Sequence, residues 1–113
     1  MSIQSQAVLP NTADVAGVIR SLTKVSSTES VARTTHSADY WIIEIEGPPG
    51  SVQALSLFLN YESECDELGK RTPKTLLSAE YSPSMFAILN RVAKDLGGLV
   101  RKNEMESWQE PAA

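Results

Sequence analysis

Residues 75–102 read TLLSAEYSPSMFAILNRVAKDLGGLVRK, and this stretch decides the fold class. Ser82-Pro83 sets a capping hydroxyl before a proline, whose missing N–H costs nothing at the first helical position. Met85, Ile88, Leu89, Val92 and Leu96 then fall on one stripe of a 3.6-residue helix, and Gly97-Gly98 supplies a left-handed stop. The spacing predicts a helix ending at Leu96, with a strand before it over Thr75 to Tyr81 and another after it over Leu99 to Lys102.

Upstream, Val15, Val18, Ile19 and Leu22 form a similar stripe within Asn11 to Val25, with Asn11 or Thr12 as N-cap. The β-branched run Val31 to Thr35, a turn over His36 to Asp39, and Tyr40 to Glu46 read as a hairpin. In its second strand Trp41, Ile43 and Ile45 share one face, while Tyr40, Ile42, Glu44 and Glu46 share the other. Gly47-Pro48-Pro49-Gly50 breaks that strand. Ser51 then reads as the cap of a further helix running to about Cys65, with Val52, Leu55, Phe58 and Leu59 on one side. Gln6 to Leu9 is a short first strand.

The expected order is therefore β-α-β-β-α-β-α-β, an α+β protein whose first six elements follow the ferredoxin-like split βαβ pattern. This reading expects an antiparallel or mixed sheet of four to five strands with helices packed mainly on one face. A single domain over residues 1–102 and a polar tail over 103–113 complete the expected organisation; Trp108 in that tail is either a docking anchor or a side chain that folds back.

The chain has 113 residues, of which 14 are acidic and ten basic, for a net charge of -4. A nucleic-acid binder is ordinarily basic, so DNA and RNA are not expected as ligands. No apolar run reaches the roughly 18 to 20 residues of a membrane span, and Met1 to Leu9 lacks the features of a signal peptide. The expected location is the cytoplasm, with no membrane partner. Cys65 is the one cysteine and His36 the one histidine, so no disulfide and no zinc site are expected.

Thr34 to Gly69 contains Asp39, Glu44, Glu46, Glu62, Glu64, Asp66 and Glu67 and no lysine or arginine. Such a block steers a basic partner. Acids crowded at Glu62 to Glu67 would also oppose the dipole at the end of the helix expected there, a local cost consistent with a role other than stability. Glu64 and Asp66 disfavour a Cys65 thiolate. His36 with Asp39 lacks a placed nucleophile, and Glu62 with Asp66 offers too few oxygens for a hard cation. No catalytic residues, cofactor or metal are therefore expected, and the chain reads as a binding module rather than an enzyme.

In size and acidity this profile is similar to bacterial immunity proteins, which neutralise a toxin domain that is often a basic nuclease. The resemblance is one of class. It implies that the acidic block covers a basic active site, with Tyr40, Trp41 or Tyr61 as anchors. The expected partner-binding residues are Asp39, Tyr40, Glu44, Glu46, Tyr61, Glu62, Glu64, Asp66 and Glu67. Two other readings stand beside it: a homodimeric ferredoxin-like regulatory or small-ligand domain, and a small enzyme using carboxylates with His36.

Overall fold

In a computed structural model the chain is described over residues 3–10, 14–26, 31–37, 39–46, 52–61 and 74–112. The elements are β1 (Gln4–Leu9), α1 (Val15–Ser26), β2 (Val31–Ser37), β3 (Tyr40–Glu46), β4 (Val52–Tyr61), β5 (Lys74–Glu80), α2 (Pro83–Leu96) and β6 (Leu99–Arg101). The strands form one six-stranded sheet in the order β2-β3-β4-β5-β1-β6, and every neighbouring pair is antiparallel.

This order corrects the ferredoxin-like expectation. That pattern separates β1 and β2 by a single strand, whereas here β3, β4 and β5 all lie between them. The α1 connection carries the chain from β1 to the far edge, and a four-strand meander brings it back beside β1. From β5, α2 then leads to β6 on the other side of β1.

The largest departure from the sequence reading is residues 52–61, which form strand β4 and not a helix. Leu55, Leu57 and Leu59 alternate with Ser56, Phe58 and Asn60, the two-residue period of a strand. β3 binds along one side of this segment and β5 along the other. Two flanking strands satisfy the backbone groups that a helix would satisfy internally. Asn60 has a φ of 54°, inside the irregularity where the β4–β5 register shifts between Phe58 and Tyr61. Two further corrections are local. His36 belongs to β2 rather than to the turn, at an irregularity between Thr35 and Ser37. The carboxylate of Asp14 accepts from the Gly17 amide at 2.7 Å and so caps α1, whereas Asn11 and Thr12 lie outside the described residues.

α2 forms where its signals put it. The Ser82 hydroxyl accepts from the Met85 amide at 3.1 Å, and Gly97 closes the helix at a φ of 80°, a conformation glycine adopts without steric cost. The Gly98 amide donates to the Ala93 carbonyl at 2.7 Å. A Cβ on Gly98 would stand 2.2 Å from the Val8 carbonyl oxygen, so the chain leaves α2 in direct contact with β1.

The two faces of the sheet have different fates. Ala7, Leu9, Ile43, Ile45, Leu55, Leu57, Leu77, Ala79 and Val100 are buried together with Val18 and Leu22 of α1 and Met85, Leu89, Val92 and Ala93 of α2. α2 lies over β1 and β6, and α1 packs against α2. No helix of the described residues is long and apolar enough to cross a membrane.

Candidate functional site: the helix-free face of the sheet

The opposite face carries no helix among the described residues, and the strand registers arrange its side chains in rows. One row is apolar and crosses five strands: Tyr40 is paired with Phe58, Phe58 with Leu76, Leu76 with Val8, and Val8 with Leu99. The next is largely polar, running Ile42, Ser56, Ser78, Gln6, Arg101 by the same pairings. Beyond it lie the exposed Glu44 of β3, Ala54 of β4 and Glu80 of β5. Alternation along each strand separates the rows by two residues, roughly 7 Å.

The ends of the apolar row differ. Toward β6, Val8, Leu76 and Leu99 are buried, with Phe58, Tyr61 and Trp108 packed against them. Toward β3, Tyr40 and Phe58 are only half-buried, their rings stacked with centroids 4.8 Å apart and planes 8° from parallel. The Tyr40 hydroxyl reaches Ser56 Oγ at 3.5 Å, and Ile42 beside it is also half-buried. An aromatic pair and an isoleucine at partial exposure, next to carboxylates, make an amphipathic patch suited to docking.

Arg101 marks the β6 end of the polar row. Its Nε donates to Gln6 Oε1 at 2.8 Å and a second guanidinium nitrogen donates to the same oxygen. The guanidinium carbon stands 4.2 Å from the Trp108 ring centroid, a cation–π stack. Lys102, next in the chain, lies 5.0 Å from the Tyr81 ring centroid. The face thus carries exposed carboxylates at Glu44 of β3 and Glu80 of β5 and a guanidinium at Arg101 of β6.

The structure brings together part of the set named from sequence. Tyr40 and Glu44 share the helix-free face, and Tyr61 packs onto its apolar row. Asp39 is exposed at the adjoining turn, where its carboxylate accepts from Asn60 Nδ2 at 3.0 Å and its carbonyl from the Leu59 amide at 2.8 Å. Glu46 is the last residue of β3, in register with Val52. Glu62, Glu64, Asp66 and Glu67 lie outside the described residues, as does Cys65. Trp41 points the other way and packs against the core beneath the helices.

Sequence reasoning missed Phe58, Glu80 and Arg101. Helical spacing puts Phe58 on a buried stripe with Val52 and Leu55; the alternation of Leu55, Leu57 and Leu59 is the signal that puts it on the opposite face. A cleft of about 400 Å³ near Glu80 is lined by Gln53, Ala54, Tyr81, Ser82 and Met85. Among the described residues Glu80 is the carboxylate that lines it. Among the described residues no three His, Cys, Asp or Glu side chains converge as a metal site. Comparison with family models, with curated proteins and with solved structures finds no match.

Proposed function

We propose that this chain is a small protein-binding module of the immunity or inhibitor type, acting in the cytoplasm, that covers the basic active site of a nuclease-like toxin domain with the helix-free face of its sheet. The observation that carries this reading is the half-exposed Tyr40–Phe58 stack and Ile42 lying beside the exposed carboxylates of Glu44 and Glu80 on a face that no helix of the described residues covers. The aromatic pair supplies rigid contact area, the carboxylates steer a cationic partner and stand where substrate phosphates would otherwise bind, and Asp39 extends the negative rim.

The test is association kinetics with the product of a neighbouring toxin-like gene, comparing the native chain with Glu44→Lys/Glu80→Lys. The double substitution is expected to lower the association rate at least tenfold near 0.05 M salt. The difference should shrink at 1 M salt, where the Debye length falls to about 3 Å. An unchanged rate at low salt would remove the acidic rim from the site.

A further inference from the structure

The C-terminal segment returns along the outer edge of β6 and is held there by its backbone at two points and by one aromatic side chain. The Val100 amide donates to the Gln109 carbonyl at 2.9 Å, and the Gln109 amide donates back to the Val100 carbonyl at 2.8 Å. Three residues on, the Asn90 side chain of α2 repeats the pattern: its Nδ2 donates to the Ala112 carbonyl at 3.1 Å, and its Oδ1 accepts from the Ala112 amide at 2.9 Å. The one large side chain this segment commits is Trp108, which packs on Val8, Leu76 and Leu99 beneath the Arg101 guanidinium. The turn leading to it is closed by Asn103, which bonds to the Met105 amide and the Glu106 carboxylate, and it leaves Met105 94% exposed.

Main-chain pairing at two points and one aromatic slot are the elements of strand-addition peptide recognition. We infer that the β6 edge, Asn90 and the slot under Arg101 form a binding site for an extended segment of another protein, and that the chain's own residues 108–112 are its resident occupant. The ligand it takes has an aromatic side chain, a free N–H and C=O on the following residue, and a second such pair three residues later. Because neither pairing point reads a side chain of the ligand, the site is permissive except at the aromatic position. The resident tail competes from an effective concentration of the order of millimolar, so an incoming segment must displace it. The site lies at the far end of the sheet from Glu44 and does not depend on the function proposed above.

The probe is a fluorescein-labelled peptide of residues 106–113, titrated into the full-length chain and followed by anisotropy. Trp108→Ala in the protein empties the slot, and this variant is expected to bind the peptide at least tenfold more tightly than the native chain. Asn90→Ala added to it should weaken binding several-fold, and a peptide with alanine in place of its tryptophan should not bind. Equal affinity for the native and Trp108→Ala chains, or equal binding of the peptide lacking the aromatic ring, would overturn the proposal. If circular dichroism shows that Trp108→Ala has lost its fold, Gln109→Pro takes its place: it removes the N–H donated to Val100 and fixes φ, which loosens the resident segment although its ring remains. That variant should bind the peptide more tightly than the native chain, equal affinity again overturning the proposal.

Discussion

Ile42 and Ile43 are adjacent on β3 and chemically identical, yet they live on opposite faces of the sheet. Ile43 is fully buried in the cluster shared with both helices, and Ile42 is half-exposed among Tyr40, Ser56 and Glu44. One face is a core whose buried apolar side chains form one cluster with those of α1 and α2. The other keeps aromatic and aliphatic surface at partial exposure with no helix of the described residues over it, an arrangement that burial alone does not favour. The same strand thus serves stability with its odd residues and, on the proposal made here, recognition with its even ones.

If that division is right, substitutions at the two positions should differ sharply. Ile43→Ala is expected to destabilise by about 2 to 5 kcal/mol, because it leaves a cavity in a packed interior. Ile42→Ala should cost about 1 kcal/mol or less, since only part of its side chain leaves water on folding, and it should weaken partner binding more than it weakens the fold. Denaturant titration of both variants reads the difference. Equal losses would mean that the helix-free face is as packed as the core and is no docking surface.

A smaller effect sharpens the comparison at the junction where α2 hands the chain to β6. Gly98→Ala drives a methyl group into the Val8 carbonyl oxygen, and the strain should cost about 1 to 3 kcal/mol. Val8 presents its side chain to the helix-free face while its backbone holds β1 in register with β6. The variant should therefore speed amide exchange of Leu99 and Val100 before it affects β3 and β4. Uniform loss of protection across the sheet would show that the two ends do not separate in stability.

How much of this was legible beforehand depends on whether the deciding partners are near in sequence. The α2 boundaries were readable because Ser82 and Gly97 act within one turn of the residues they cap. The α1 stripe and the β2–β3 hairpin were readable for the same reason. Residues 52–59 were not, since Val52, Leu55, Phe58 and Leu59 suit a helix while Leu55, Leu57 and Leu59 suit a strand. What chooses between these spacings is hydrogen bonding to β3 and β5, which no local pattern reveals. The candidate site divides along the same line. That Tyr40 and Glu44 share a face follows from alternation within one strand, whereas placing Phe58, Glu80 and Arg101 with them requires the order of strands in the sheet.

The smallest expected effect concerns the outer side of the helical layer. Lys24 of α1 and Asp95 of α2 meet at 3.0 Å, with side chains 71% and 30% exposed. The Lys24 ammonium, donating to Oδ1 at 3.0 Å, holds the Asp95 carboxyl below its ordinary value of 3.8. Water and salt screen so open a pair, so Asp95→Asn should cost about 0.2 to 1 kcal/mol at neutral pH. A carboxyl whose folded-state pKa is depressed contributes in full above its unfolded value, and that contribution is lost as the pH falls through the lower, folded-state value. The gap between native and Asp95→Asn chains should thus be constant from pH 7 to about pH 5, close below pH 3.8, and narrow at neutral pH when salt is raised to 1 M. A loss of several kcal/mol at low salt would mean that the Lys24–Asp95 pair, more than the apolar contacts of Val18, Leu22, Leu89 and Val92, fastens α1 to α2, and the covered face would no longer owe its stability to packing alone.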